Sequence, residues 1–180
     1  VLISTNHSTE IDYFDTISSV FSFSSFPSGG VNRVPAINAG SQTGNLIYTK
    51  EYWGTNIDSE LLKPTDYGIN IRSTLTGTYT DFTVAIGSFK NNSDLKLSVF
   101  IIEDDTYYRT LKRVLTSYKG TALELAANDI KKHIYISVNL SDYTISKTSI
   151  VAFLHYFDET TQNYEVVNVQ EVKVGEDVGW

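Results

Sequence analysis

The feature that most restricts the fold is a succession of short segments, between residues 66 and 174, in which apolar and polar residues alternate. A period of two is typical of β-strands that bury one face. Residues 67–75, 79–89 and 95–101 show this alternation clearly. The turn sequence Asn-Asn-Ser-Asp at 91–94 separates the second segment from the third. We therefore predict that these segments form an antiparallel meander.

The next part of the chain continues the pattern less regularly. Residues 107–115 predict a fourth strand, and the connection that follows Gly120 predicts a short helix over 123–128. Residues 133–140 alternate strictly, which predicts a strand with one buried face. The side chains of this strand that we expect in the core are Ile134, Ile136, Val138 and Leu140.

The last two predicted strands cover residues 150–157 and 164–174. The first is apolar on both faces, as expected of a central strand that is covered on both sides or that lies against the neighbouring domain. The second changes phase near Asn168, which indicates a β-bulge. About seven strands with regular turn signals predict a mainly β fold, in which residues 66–175 form an immunoglobulin-like antiparallel β-sandwich and residues 176–180 a C-terminal tail.

Residues 1–65 lack this alternation and predict a small, incomplete α/β segment. Apolar residues spaced by three and four favour helices, and Pro64 ends the last of these and marks the boundary with the sandwich. The elements that we expect are strand 1–5, a helix after an N-cap at Asp15, a break at Phe26–Pro27, strand 31–34 and a helix over 46–62.

Composition and charge argue against several classes of function. The 180 residues carry a net charge of −7, whereas nucleic-acid-binding proteins concentrate basic residues on one face. The sequence contains no cysteine, which excludes thiolate nucleophiles, disulfides and cysteine-ligated metals. It also lacks methionine, so we expect a processed or truncated start. The longest apolar runs, such as 150–154, are too short to cross a bilayer, and we expect membrane contact only through an anchor outside this chain.

The residues that could support catalysis or metal binding are scattered. His7, His133 and His155 lie on three separate predicted elements and lack the spacing of a metal site. The acidic runs at 103–105 and 158–159 do not follow the pattern of a calcium loop. No Gly-x-Ser-x-Gly sequence provides a nucleophile elbow. We therefore predict no catalytic site, no metal site and no cofactor.

Aromatic residues are frequent and offer one candidate binding surface. Stacked rings can bind a sugar or a protein partner, although such rings more often pack the seam between a helix and a sandwich. The candidate surface consists of Tyr48, Tyr52 and Trp53 on a predicted helix, together with Tyr107 and Tyr108 after an acidic turn.

The order of elements in the front segment resembles the second half of a thioredoxin fold, in which a proline, here Pro27, forms a cis peptide bond before a strand. Several segments together extend the resemblance to the sandwich: 26–33, Trp53, 97–104, 113–115 and 150–153. With these segments the chain resembles a Bacteroides-type family of outer-membrane lipoproteins that is named for a twenty-eight-kilodalton protein.

This resemblance implies a lipid-anchored protein of the outer membrane or cell surface, with a thioredoxin-like part followed by an immunoglobulin-like domain. In many relatives a Cys-x-x-Cys pair lies on a helix that would precede Val1. We expect a non-catalytic cell-surface interaction protein whose partner is an unknown protein or glycan. The alternatives are a fragment of an envelope thiol oxidoreductase whose cysteines lie upstream, and a carbohydrate-binding module.

Overall fold

A computed structural model describes residues 28–104, 109–117, 119–158 and 163–180. Several predictions lie outside these residues: strand 1–5, the helix after Asp15, the Pro27 peptide bond, and the rings of Tyr107 and Tyr108. Within the described residues the protein is mainly β, and its sheets are antiparallel. The predicted fold class is therefore confirmed.

The front segment contains a two-stranded sheet and a helix. β1 (Ser28–Gly29) pairs antiparallel with β2 (Tyr48–Thr49), and a single 3₁₀ turn leads into α1 (Trp53–Leu61). The predicted helix over 46–62 therefore begins later, because residues 48–49 are held in strand conformation by β1. The strand predicted at 31–34 is absent, since Asn32 and Arg33 adopt positive φ angles of 48° and 58°.

In the part of the chain that the structure describes, the sandwich has nine strands in two sheets. Their bounds are β3 (Tyr67–Thr76), β4 (Tyr79–Ser88), β5 (Asn92–Asp104), β6 (Arg109–Val114), β7 (Thr121–Leu125), β8 (Ile130–Asn139), β9 (Thr148–Asp158), β10 (Asn163–Lys173) and β11 (Asp177–Val178). One sheet has the order β11-β3-β4-β8. The other has the order β10-β9-β5-β6, and β7 pairs with β5 beyond the end of β6.

The main core lies between the two sheets and follows the predicted alternation except in part of β8. β9 is central, as predicted, and its alternate residues divide between two apolar clusters. Ile150, Ala152 and Leu154 face the other sheet, whereas Val151 and Phe153 are buried on the outer face. The predicted bulge in the last strand is confirmed, because the register of β10 shifts between Val166 and Asn168.

The prediction for the core residues of β8 is wrong in part. Ile134 and Ile136 point to solvent, and Val138 and Leu140 face the core. The cause is an extra residue in β8, where the register shifts and Ser137 has a φ of 52°. Before this bulge the inward side chain is Tyr135, which stacks on Phe82 with ring centroids 4.6 Å apart.

Two other segments also differ from expectation. Residues 123–128 were predicted as a helix, but β7 occupies 121–125 and buries Leu123 and Leu125 against β5. Residues 176–180, expected as a tail, include β11, which pairs with β3. The Trp180 ring lies over the outer face of that sheet.

None of the helices in the described part of the chain is both long and apolar enough to span a bilayer.

Candidate functional site

The front segment lies against the β9–β10 hairpin of the sandwich. The Val166 amide donates a hydrogen bond of 2.8 Å to the Asn32 carbonyl oxygen. The Asn32 side-chain amide in turn donates to a carboxylate oxygen of Glu60, at 3.2 Å. The Arg33 guanidinium lies 5.2 Å from the centre of the Phe153 ring, which is within the range of a cation–π contact. The contacts of Asn32 with Val166 and of Arg33 with Phe153 join the two parts of the protein, and the Asn32–Glu60 hydrogen bond holds Asn32 against α1.

A cleft of about 360 Å³ lies at this junction, and we call it the junction cleft. The connection from α1 to β3 forms one side, the turn between β4 and β5 a second, and the β9–β10 hairpin a third. The residues most relevant to binding are Asn32, Lys63, Lys90, Asp94, Phe157 and Glu165.

Lys63 connects two sides of the junction cleft, the connection from α1 to β3 and the β9–β10 hairpin. Its ammonium lies 2.7 Å from Glu60 and 3.7 Å from Glu165. Partial burial alone would lower the pKa of Lys63, but the hydrogen bonds and negative charges of the two carboxylates outweigh it and raise that pKa. The Tyr156 hydroxyl donates to Glu165 at 2.8 Å. Glu165 is thus held by two groups and keeps a defined orientation.

Tyr67, at the start of β3, contacts the residues of the turn between β4 and β5 that form another side of the junction cleft. Its hydroxyl accepts a hydrogen bond of 2.7 Å from the Asn92 amide, and its carbonyl oxygen accepts one of the same length from Asn168. Lys90 lies 5.4 Å from the centre of the Tyr67 ring and 2.6 Å from Asp66. The hydrogen bond from Lys90 to Asp66 and the nearby Tyr67 oxygen raise the Lys90 pKa. This side of the junction cleft is therefore polar and charged, and hydrogen bonds hold its side chains in place.

A buried histidine lies on the outer face of the five-stranded sheet. His155 is fully buried, and its Nε2 lies 2.9 Å from the Ser98 hydroxyl oxygen. Burial, and then the charges of Arg33 and Lys96, lower the His155 pKa to about 3. The imidazole is therefore neutral at physiological pH. Because solvent does not reach it, we assign it a structural role.

The acidic run at 103–105 lies partly in the described residues and forms ion pairs. Asp104 contacts Lys173 at 2.6 Å and Arg109 at 2.8 Å, and Arg109 also pairs with Glu171. The hydrogen bonds from Lys173 and Arg109 lower the Asp104 pKa. Within the described residues, no group of three or more histidine or acidic side chains is arranged to hold a metal ion.

The predicted aromatic surface does not form around Tyr48. This ring is 1% exposed and packs against Ala36 and Ala39 in the small core of the front segment, because β2 turns it inward. Tyr52 and Trp53 are half-buried beside it, and the Trp53 indole donates to the Tyr48 carbonyl oxygen at 3.2 Å. Tyr48 therefore cannot stack on a ligand.

Sequence reasoning missed the junction cleft. The sequence places Asn92 and Asp94 in a turn and Tyr67 at the start of an alternating strand, and neither pattern indicates a binding site. The cleft arises because the turn, the linker after α1 and the β9–β10 hairpin meet in the folded chain. The one local signal was the cluster of polar residues on both sides of Pro64.

Together, the fold and the cleft define a class: an antiparallel β-sandwich with a small α/β segment docked on one sheet and a polar cleft between them. The family model described as outer membrane protein Omp28 matches residues 14–178. The chain belongs to the Omp28 family of outer membrane proteins. This family match confirms the predicted resemblance and the predicted location at the outer membrane.

Two solved structures from Porphyromonas gingivalis are similar to this chain. HBP35 aligns with a TM-score of 0.68 and 16% identity over 91% of this chain, which shows a shared fold. This chain spans 57% of the length of that HBP35 chain. A domain of the outer membrane lipoprotein Omp28 aligns with a TM-score of 0.46 and 21% identity, over 63% of this chain and 91% of that one. Among curated proteins, none matches this chain.

Proposed function

We propose that this outer membrane protein is a non-catalytic binding protein of the cell surface, and that the junction cleft binds its ligand. The single observation that carries the proposal is the geometry of the cleft: two parts of the fold meet around a defined space of about 360 Å³ with polar walls. A volume of this size suits a small molecule or the end of a larger chain.

The charges in the cleft favour binding over catalysis. Lys63 lies between Glu60 and Glu165, and Lys90 pairs with Asp66. A general acid or base needs a pKa near the working pH, but these ion pairs stabilise the charged forms of both lysines and raise their pKa values. Such side chains serve better as fixed hydrogen-bonding groups than as proton carriers.

The side chains of the cleft favour a carbohydrate as the ligand. Amides and carboxylates, such as those of Asn32, Asp94 and Glu165, offer the donors and acceptors that sugar hydroxyls need. Phe157 is 37% exposed and lines the same space, so its ring can pack against the apolar face of a sugar.

A glycan array tests this proposal directly. We expect the intact protein to bind a subset of the array, and we expect Asp94→Ala and Phe157→Ala to weaken that binding about tenfold or more, because each removes a contact from the cleft. Asp58→Ala on α1 and Tyr79→Ala at the far end of β4 are matched controls. Both side chains are exposed outside the cleft, and both variants should bind normally.

Three results would argue against the proposal. If no glycan is bound, the carbohydrate assignment fails. If the control variants lose as much affinity as the cleft variants, the ligand binds elsewhere. If chromatography detects sugar released from a bound glycan, the protein is an enzyme and the non-catalytic assignment is wrong.

A second candidate function is a part of an envelope thiol oxidoreductase. The observation that favours it is the order β1, β2, α1, with the two strands antiparallel, which resembles the second half of a thioredoxin fold. The test is the sequence upstream of Val1 together with a dithiol-reduction assay on the full-length protein. A Cys-x-x-Cys pair and thiol-dependent activity would support this candidate, whereas their absence would remove it.

A further inference from the structure

The outer face of the four-stranded sheet carries an unusual number of exposed apolar side chains. Five large ones on this face are between 54% and 77% exposed. We call them the outer apolar face: Phe89, Ile130, Ile134, Ile136 and Trp180. The three isoleucines alternate outward along β8, and Phe89 continues the outward alternation one residue beyond β4.

Trp180 is held on this face by the sheet itself. Gly68 and Gly87 are cross-strand partners, and the indole ring covers both of them. A Cβ at Gly68 would lie 2.8 Å from the ring, so the site has room for the indole only because residue 68 lacks a side chain. The Asn70 amide donates to the Trp180 carbonyl oxygen at 3.4 Å. Because Gly87 pairs with Ile130, the indole lies beside the isoleucine row.

The area of the outer apolar face lies at the upper end of the range that monomeric proteins expose. With about 150–250 Å² for each fully exposed large side chain, the five residues present on the order of 600 Å². The largest apolar patch on a typical monomer is about 300–600 Å². A standard interface buries about 800 Å² per partner, of which roughly 65% is apolar in homodimers. The face therefore provides the apolar area that one side of a dimer requires.

The charges around the face are mixed in sign. Arg72 and Lys132 lie on it, and so do Asp81 and Asp177. The chain as a whole has a net charge of −7, so most of its surface would repel a second copy. The two positive and two negative side chains on this face give it no net charge. A dimer with twofold symmetry can therefore place unlike charges of the two copies opposite each other.

We propose that the outer apolar face is the interface of a symmetric dimer formed with a second copy of this chain. The contact is face to face. Pairing through the edge of β8 is disfavoured, because Lys131, Lys132 and the bulge at Ser137 are features that prevent strand addition. The proposal is independent of the junction cleft, which is formed by other residues.

Sedimentation equilibrium over a range of protein concentrations tests the proposal. We expect a monomer–dimer equilibrium for the intact chain, and we expect Ile134→Asp with Ile136→Asp to raise the dissociation constant about tenfold or more. The matched control is Leu61→Asp with Leu62→Asp, because these two leucines are also exposed but lie at the end of α1. The control variant should dimerise normally.

Each possible result either supports or contradicts the symmetric dimer. Circular dichroism first establishes that the variants fold, and exposed isoleucines can change without loss of the core. A wild-type protein that stays monomeric at all concentrations would overturn the proposal, as would a dimer that survives both isoleucine changes. A wild-type monomer that binds lipid vesicles, with binding lost in the isoleucine variant, would assign the face to a membrane surface.

Discussion

His155 shows how one side chain can make stability depend on pH. It is fully buried on the outer face of the five-stranded sheet, with Ser98 as its hydrogen-bond partner and the positive charges of Arg33 and Lys96 nearby. Gly120 packs directly over the ring, where a Cβ would lie 2.6 Å from Nε2. A proton on this imidazole would be buried among positive charges, and its pKa is therefore about 3.

This depressed pKa predicts a loss of stability in mild acid. Above pH 6.5 the histidine is neutral in both the folded and the unfolded state and has no effect. Between pH 6.5 and about 3 the unfolded chain takes up a proton that the folded chain does not. The free energy of unfolding should then fall by up to about 1.4 kcal/mol per pH unit because of this group.

Urea denaturation of the wild type and of His155→Gln, at neutral pH and at about two pH units below 6.5, measures the effect. Glutamine can keep a hydrogen bond to Ser98 but does not titrate. We expect the wild type to lose more stability than the variant when the pH is lowered. Equal losses in the two proteins would mean that His155 is not the group responsible.

At the scale of elements, the sequence predicts strands well but not every side-chain direction. The pattern predicts the strands at 67–76 and 79–88 because their alternation is regular, and it predicts β9 (Thr148–Asp158) because the sequence there is apolar on both faces. β7 was mistaken for a helix because Ala-Leu-Glu-Leu-Ala-Ala favours helices locally, whereas pairing with β5 decides its conformation. The bulge in β8 gave no signal, because residue 137 is a serine and not the glycine that usually marks a positive φ.

The bulge also predicts the effect of a substitution at Ser137. A non-glycine residue at a φ of 52° is strained, so Ser137→Gly should stabilise the protein by up to about 1 kcal/mol, and Ser137→Val should destabilise it by more than that. Urea denaturation provides the measurement. Ser146→Gly is a control, because Ser146 does not have a positive φ, and this change should not stabilise. A Ser137→Gly variant less stable than the wild type would contradict the account of β8.

At the scale of the whole molecule, the important feature is the junction between the front segment and the sandwich. Its residues come from four distant parts of the sequence, around Asn32, Lys63, Asp94 and Glu165. Periodicity reveals the strands that carry such residues, but it contains no information on which loops meet. The family could be predicted from the sequence, whereas the cleft required the folded chain.

The most direct test of the central claim is to locate the ligand on the protein by NMR. Polysaccharide released from the outer membrane of the source cells is added to the isotopically labelled chain, and the backbone amide shifts are followed. We predict that the amides whose shifts change cluster around the junction cleft, at Asn92, Asp94, Phe157 and Val166. Shifts confined to the outer apolar face, or no shifts with any fraction of the polysaccharide, would contradict it.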